Sequence, residues 1–156
     1  MTRRLAVVVA LLAALPAAAF SPASRDAALD RLAGDAGGGL RVELSRATGA
    51  ARLVVVEPGR LPLAAKSTHA RAMEFFERYG AAFGVDRPAE ELAPLASRRD
   101  RLGAEHLSFG QRHRGLPVFA AVLRVHFDAD GRLTAVNGAF VPDVDVATDP
   151  AVSAEL

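Results

Sequence analysis

The chain has 156 residues, 19 of them basic and 18 acidic, and contains no cysteine. That length allows one ordinary domain with tails. The missing cysteines exclude a disulfide framework and thiolate chemistry, and the near-balanced charge gives no electrostatic case for nucleic-acid binding.

Residues 1–19 read as a secretory signal peptide. Arg3 and Arg4 form a basic head, Leu5 to Leu15 an apolar core, and Ala17-Ala18-Ala19 a small-residue cleavage site before Phe20. The apolar run is short for a membrane span, so no membrane association is expected once it is removed. Two of the basic residues and none of the acidic ones lie in this leader, so residues 20–156 carry one more acidic than basic charge.

Residues 20–39 are expected to be flexible. Ser24-Arg25-Asp26 can cap a short helix through Leu32, and Asp35 to Gly39 reads as a link. Leu40, Val42 and Leu44 alternate with polar residues and predict a strand. Thr48-Gly49 is a turn, and Arg52 to Val56 returns as a second strand.

One long helix is predicted from Thr68 to Phe83, with Ser67 or Thr68 as N-cap. Ala72, Phe76, Tyr79 and Phe83 fall on one face, widened by Met73 and Phe75. Glu74 and Arg78 pair on the wet side, and Gly84 is placed to end the helix. Asp86 to Leu92 reads as a turn or one loose helical turn, Leu92 to Ser97 as a further strand, and Arg98 to Arg101 as a charged loop.

Residues 105–142 carry the strongest pattern, a three-stranded antiparallel meander. Leu107 and Phe109 share one face, with His106 and Ser108 opposite. Phe119, Ala121, Leu123, Val125 and Phe127 predict one wholly apolar face, with Arg124 and His126 on the other. The third run opens with Leu133 and Ala135 in phase and breaks at Asn137-Gly138, read as a bulge. Arg114 to Pro117 and Asp128 to Gly131 are the two turns.

The combined string His106-Leu107-Ser108-Phe109, Gly115-Leu116-Pro117-Val118-Phe119, His126-Phe127-Asp128-Ala129-Asp130-Gly131 and Val136-Asn137-Gly138 resembles the FTP domain. That domain is the N-terminal propeptide module of fungalysin- and thermolysin-like secreted zinc metalloproteases. The resemblance extends upstream to about Leu40, through the Thr48-Gly49 turn and the Ala82-Phe83-Gly84-Val85 helix end. It implies an FTP-like domain over residues 40–145, and residues 146–156 resemble a linker and the cut-off start of a PepSY-like segment. The expected fold class is α+β, one long helix packed on a curved antiparallel β-sheet of four to six strands.

The resemblance implies a non-catalytic, secreted module that acts as chaperone and inhibitor by binding a thermolysin-like metalloprotease catalytic domain. Its contacts are expected at Arg114, Gly115, Leu116, Pro117, Val118, Phe140, Val141 and Pro142. The alternatives are a free-standing secreted binding or inhibitor module, or an inactive remnant of a truncated protease gene.

No catalytic, cofactor or metal residue is assigned. The zinc-protease pattern H-E-x-x-H occurs nowhere in the chain. His106 and His126 are read as solvated strand histidines and His113 as a turn residue. Asp128-Ala129-Asp130-Gly131 opens like a calcium loop but lacks the downstream ligands, so a hairpin turn is expected. Arg98, Arg99 and Arg101 read as solvated surface.

Overall fold

The computed structural model describes residues 20–148. The leader at residues 1–19 and the PepSY-like residues 151–156 lie outside that range.

Three helices and six strands follow in the order α1 (Pro22–Asp35), β1 (Leu40–Leu44), β2 (Ala51–Val56), α2 (Thr68–Tyr79), α3 (Pro88–Glu91), β3 (Leu92–Arg99), β4 (Glu105–His113), β5 (Leu116–Phe127) and β6 (Leu133–Gly138). A 3-10 turn, Gly80–Phe83, continues α2. The strands form one antiparallel sheet in the order β1-β2-β6-β5-β4-β3. The α+β class and the antiparallel sheet are as expected, but the helix layer is not one long helix.

The difference lies in residues 20–39, expected to be loose. Ser21, not Ser24, is the N-cap of α1: its hydroxyl accepts from the Ser24 amide and the Ser24 hydroxyl sits 3.0 Å from the Ser21 amide. This reciprocal box satisfies two amide hydrogens that a helix start leaves free. Ala28, Leu32 and Ala36 are buried against the rest of the core. Because most of the small apolar residues of α1 are alanines, its stripe is faint in the sequence although the packing is real.

Asp35 then locks the two helices. It accepts from the Tyr79 hydroxyl at 2.6 Å and from Arg78 at 2.8 Å. These two bonds hold the Asp35 carboxyl below its usual range, and burial with the Asp35 bond pushes the Tyr79 hydroxyl up. Arg78 is therefore shared between Asp35 and Glu74, and Glu74 chiefly accepts the amides of Ala64 and Ala65.

Ser67 caps α2, accepting from the Ala70 amide. The buried face carries Ala72, Phe75, Phe76 and Tyr79, and Phe83 from the 3-10 turn is fully buried beside them. Phe76 meets Phe109 of β4 at 5.9 Å between ring centroids, so the aromatic cluster spans helix and sheet. Gly84 ends the helical run at φ +83°, as its position after Phe83 predicts.

The sheet buries Val54, Val56, Leu107, Phe109, Leu123, Val125, Phe127, Leu133 and Val136 on its helix-facing side. Two halves meet at a short seam: β2 and β6 pair only through Leu53–Val55 and Ala135–Asn137. The bulge in β6 is not at Asn137-Gly138, where pairing to β5 is regular. It falls between Ala135 and Leu133, where the register to β5 slips by one. That slip puts Leu133 and Val136, three apart, on the core side and turns Ala135 away.

Candidate functional site: the β4–β5 tip and the strap at Val141

The β4–β5 connection is a two-residue turn. Arg114 (φ +48°) and Gly115 (φ +84°) both lie in the left-handed region, the requirement of a type I′ hairpin, and His113 pairs with Leu116. Pairing then shifts. Between Arg112↔Pro117 and Gly110↔Val122, β4 advances two residues while β5 advances five. The extra residues are absorbed around Ala120, at φ +59°.

An odd insertion reverses the facing of everything beyond it. Ala121, Leu123, Val125 and Phe127 keep the core side, but Phe119 does not join them: it is 98% exposed. Leu116 is 52% exposed beside it in sequence, and Arg114, Gly115 and Pro117 are exposed too, with Val118 half-buried. The tip thus offers apolar side chains that the core does not use, next to a non-glycine residue in a costly conformation.

The second group of predicted contact residues lies on the strap that follows β6. Phe140 is 6% exposed and belongs to the core, so it anchors the strap and its side chain faces inward. Val141 is 44% exposed and Pro142 half-buried. Gln111, the one buried polar residue among the described residues, holds this strap. Its amide donates to the Val141 carbonyl at 2.7 Å and its carbonyl accepts the Val141 amide at 2.9 Å. This role leaves no local signal in the sequence, because Gln111 and Val141 are thirty residues apart.

Gly84 seats the strap from below. A Cβ there would lie 2.5 Å from Cγ of Pro142, so the position needs glycine for space as well as for its φ. His113 reaches the Val146 carbonyl at 3.4 Å, which places the base of the hairpin beside the strap. Between strap, hairpin base and the turn after α2 runs an open groove of about 570 Å³, lined by Phe20, Gly84, Gln111, His113, Val141 and Asp143 among others.

His106 and His126 are on the sheet face opposite the helices, as expected, but they are not independently solvated. Register brings them directly opposite, with Nδ1 atoms 2.7 Å apart. His106 Nε2 faces Asp100 Oδ2 at 3.3 Å, and His126 Nε2 faces Asn137 Oδ1 at 3.3 Å. The two rings thus form one hydrogen-bonded row, Asp100–His106–His126–Asn137, across the face opposite the helices. Burial, aided by His106 and Arg124 and opposed by the Asn137 bond, holds the His126 imidazole below the usual histidine range. His113 is not part of this chain.

The sign of the pH effect follows. Unfolded histidine takes up its proton near pH 6.5, while folded His126 resists it. Its contribution to stability is full above that pH and is lost as pH falls. The urea midpoint should therefore drop between pH 7 and 5, and drop less in His126→Gln. Equal slopes for the two proteins would mean that the pair does not govern acid sensitivity.

The turn at Asp128–Gly131 is occupied by its own bonds. Asp128 accepts the amides of Asp130 and Arg132 and the Arg132 guanidinium. Of the arginines read as a charged loop, Arg98 and Arg99 belong to β3, and Arg99 pairs with Glu105 at 3.3 Å. No helix among the described residues is long and apolar enough to cross a membrane.

Residues 90–140 match the family described as Fungalysin/Thermolysin Propeptide Motif, FTP. The likeness to this family read from the residues is matched over that segment, which runs from the end of α3 to Phe140. The chain is 39% identical over 59 residues to a thermolysin of Alicyclobacillus acidocaldarius subsp. acidocaldarius, covering 38% of this chain and 11% of that protein. It is 37% identical over 59 residues to the thermostable neutral protease NprT of Geobacillus stearothermophilus, with the same coverage. It is 27% identical over 73 residues to a bacillolysin of Brevibacillus brevis, covering 46% of this chain and 14% of that protein. The matched stretch spans only about a tenth of these curated relatives. No solved structure matches.

Proposed function

We propose that this chain is a secreted, non-catalytic propeptide-type module that binds the catalytic domain of a thermolysin-like zinc metalloprotease, assisting its folding and holding it inactive. The observation that carries the reading is the tip of the FTP-matched meander. Leu116 and Phe119 are presented to solvent by a left-handed Ala120, a conformation that costs about 1–2 kcal/mol. Large apolar side chains that the core of their own chain does not use suit a contact surface. Binding there stabilises the folded partner by mass action and needs no catalytic residue. Arg114 to Val118 and Phe119 form the tip of this surface; Val141 and Pro142 supply strap contacts, and Phe140 acts only as their anchor.

The test adds purified residues 20–156 to a thermolysin-like protease, reading peptide hydrolysis and the yield of active protease after refolding. The expected result is slowed hydrolysis or a raised yield, reduced at least tenfold by Leu116→Ser with Phe119→Ser (about 1.4 kcal/mol of binding). A folded protein that does neither would overturn the proposal. Inhibition without any gain in refolding would favour the free-standing inhibitor instead.

A further inference from the structure

The backbone nitrogen of Phe20 sits against both carboxylate oxygens of Asp143, at 2.9 and 3.1 Å. A peptide nitrogen carries one hydrogen and no charge, so it under-uses such a partner. An α-ammonium carries three hydrogens and a full charge, and it fits two-oxygen contact well. Phe20 is also the residue directly after the small-residue site Ala17-Ala18-Ala19. We infer that the chain is cut between Ala19 and Phe20, and that Asp143 is the built-in counter-ion of the ammonium this cut creates.

The chemistry needs only water and an external leader peptidase. Water adds across the Ala19–Phe20 bond, its hydroxyl ending on the Ala19 carbonyl and its hydrogen on the Phe20 nitrogen. That amine takes up a further proton at neutral pH. The inference rests on the leader reading of residues 1–19 and does not depend on the protease-binding proposal.

Three features of the site support it. The Ser21 capping box begins α1 immediately after Phe20, so the residue the cut would expose stands directly beside the helix start. The Phe20 ring approaches Gly84 and so lies by the Pro142 seat; a Cβ on Gly84 would be 3.5 Å from it. The groove beneath is acidic in excess: Asp86, Glu91, Asp143 and Asp145 face Arg87 and Arg112. Arg87 is taken by Glu90 at 2.6 Å. A new cation at Phe20 therefore meets a carboxylate already in place, and the pair ties the start of α1 to the strap that Gln111 holds.

The test expresses the full chain with its own leader in an exporting bacterium and reads the N-terminus of the product by mass spectrometry. The product is then transaminated at its N-terminus, which converts the ammonium to an uncharged ketone and leaves Lys66 intact. Unfolding is compared for wild type and Asp143→Asn; asparagine accepts the φ of +52° at this position. The expected result is a start at Phe20 and a two- to fivefold loss of folding equilibrium on transamination, about the range of an exposed ion pair, with little loss in Asp143→Asn. Asp143→Glu should restore part of the effect. A start at another residue overturns the inference. So does an equal loss in wild type and Asp143→Asn.

Discussion

Replacing Gly138 with alanine is expected to destabilise the fold by on the order of 3 kcal/mol or more. Gly138 closes β6 opposite Leu123 at φ +137°, a backbone region that side-chain-bearing residues rarely enter. A Cβ there would lie 2.0 Å from the Val122 carbonyl oxygen and 3.0 Å from Cα of Leu123. These are backbone atoms in the middle of a ladder, with no flexible end to move aside. The same carbonyl accepts the Ala139 amide at 3.0 Å, so displacing it also releases the strap that follows. Urea unfolding would check this directly. A midpoint unchanged from wild type would mean that β5 and β6 do not pair in this register.

Phe83→Ala is expected to cost about 3–5 kcal/mol, a large part of the roughly 5–15 kcal/mol that typical domains possess. Phe83 is fully buried and packs edge-on against Phe75 and Phe76 at 6.1 and 6.2 Å. Its removal opens a void where α2, the turn before Gly84 and the sheet meet. The informative control is Phe119→Ala, the same deletion at a side chain 98% exposed. It should shift stability by less than about 0.5 kcal/mol. Comparable losses at both positions would contradict the placement of Phe119 outside the core.

The contrast between these two phenylalanines shows what sequence pattern conveys. Phe83 follows from helical spacing, because neighbours on one turn of a helix are set by the chain itself. Phe119 falls on the right parity for the core of β5, yet the odd insertion at Ala120 removes it. A clue was present. A two-residue turn at Arg114-Gly115 puts Leu107 opposite Val122, an inward residue opposite an outward one. Only an odd number of extra residues reconciles that turn with both alternations. The β6 slip at Thr134 hides Val136 in the same way, since a pattern of period two has no means of announcing a change of phase.

Other elements were dim for different reasons. α1 depends on a reciprocal serine cap and on alanines whose burial is visible only once the α2 layer exists. Gln111 and Val141, and His106 and His126, are joined by register and tertiary closure. The turn residues Gly84, Gly115 and Gly131 were legible because each answers a local backbone requirement, at φ +83°, +84° and +73°. Of the residues expected to make contacts, those of the tip were legible as a turn, whereas their exposure came from the register shift. Phe140 looked like surface because nothing nearby in sequence buries it.

The narrow seam between β2 and β6 bears on how the chain reaches this state. β3 to β6 are joined by local hairpins and coincide with the matched segment, and β1 with β2 forms a hairpin of its own. The seam links residues 53–55 with 135–137, closing a loop of some eighty residues whose ordering entropy is recovered only when the aromatic layer of α2 settles across both halves. Long-range closure of this kind sets the pace of assembly. The amides that pair β4 with β5 should gain protection from hydrogen exchange early, and those of Leu53 to Val55 late. A partner gripping the meander alone would meet its surface before the domain has finished folding.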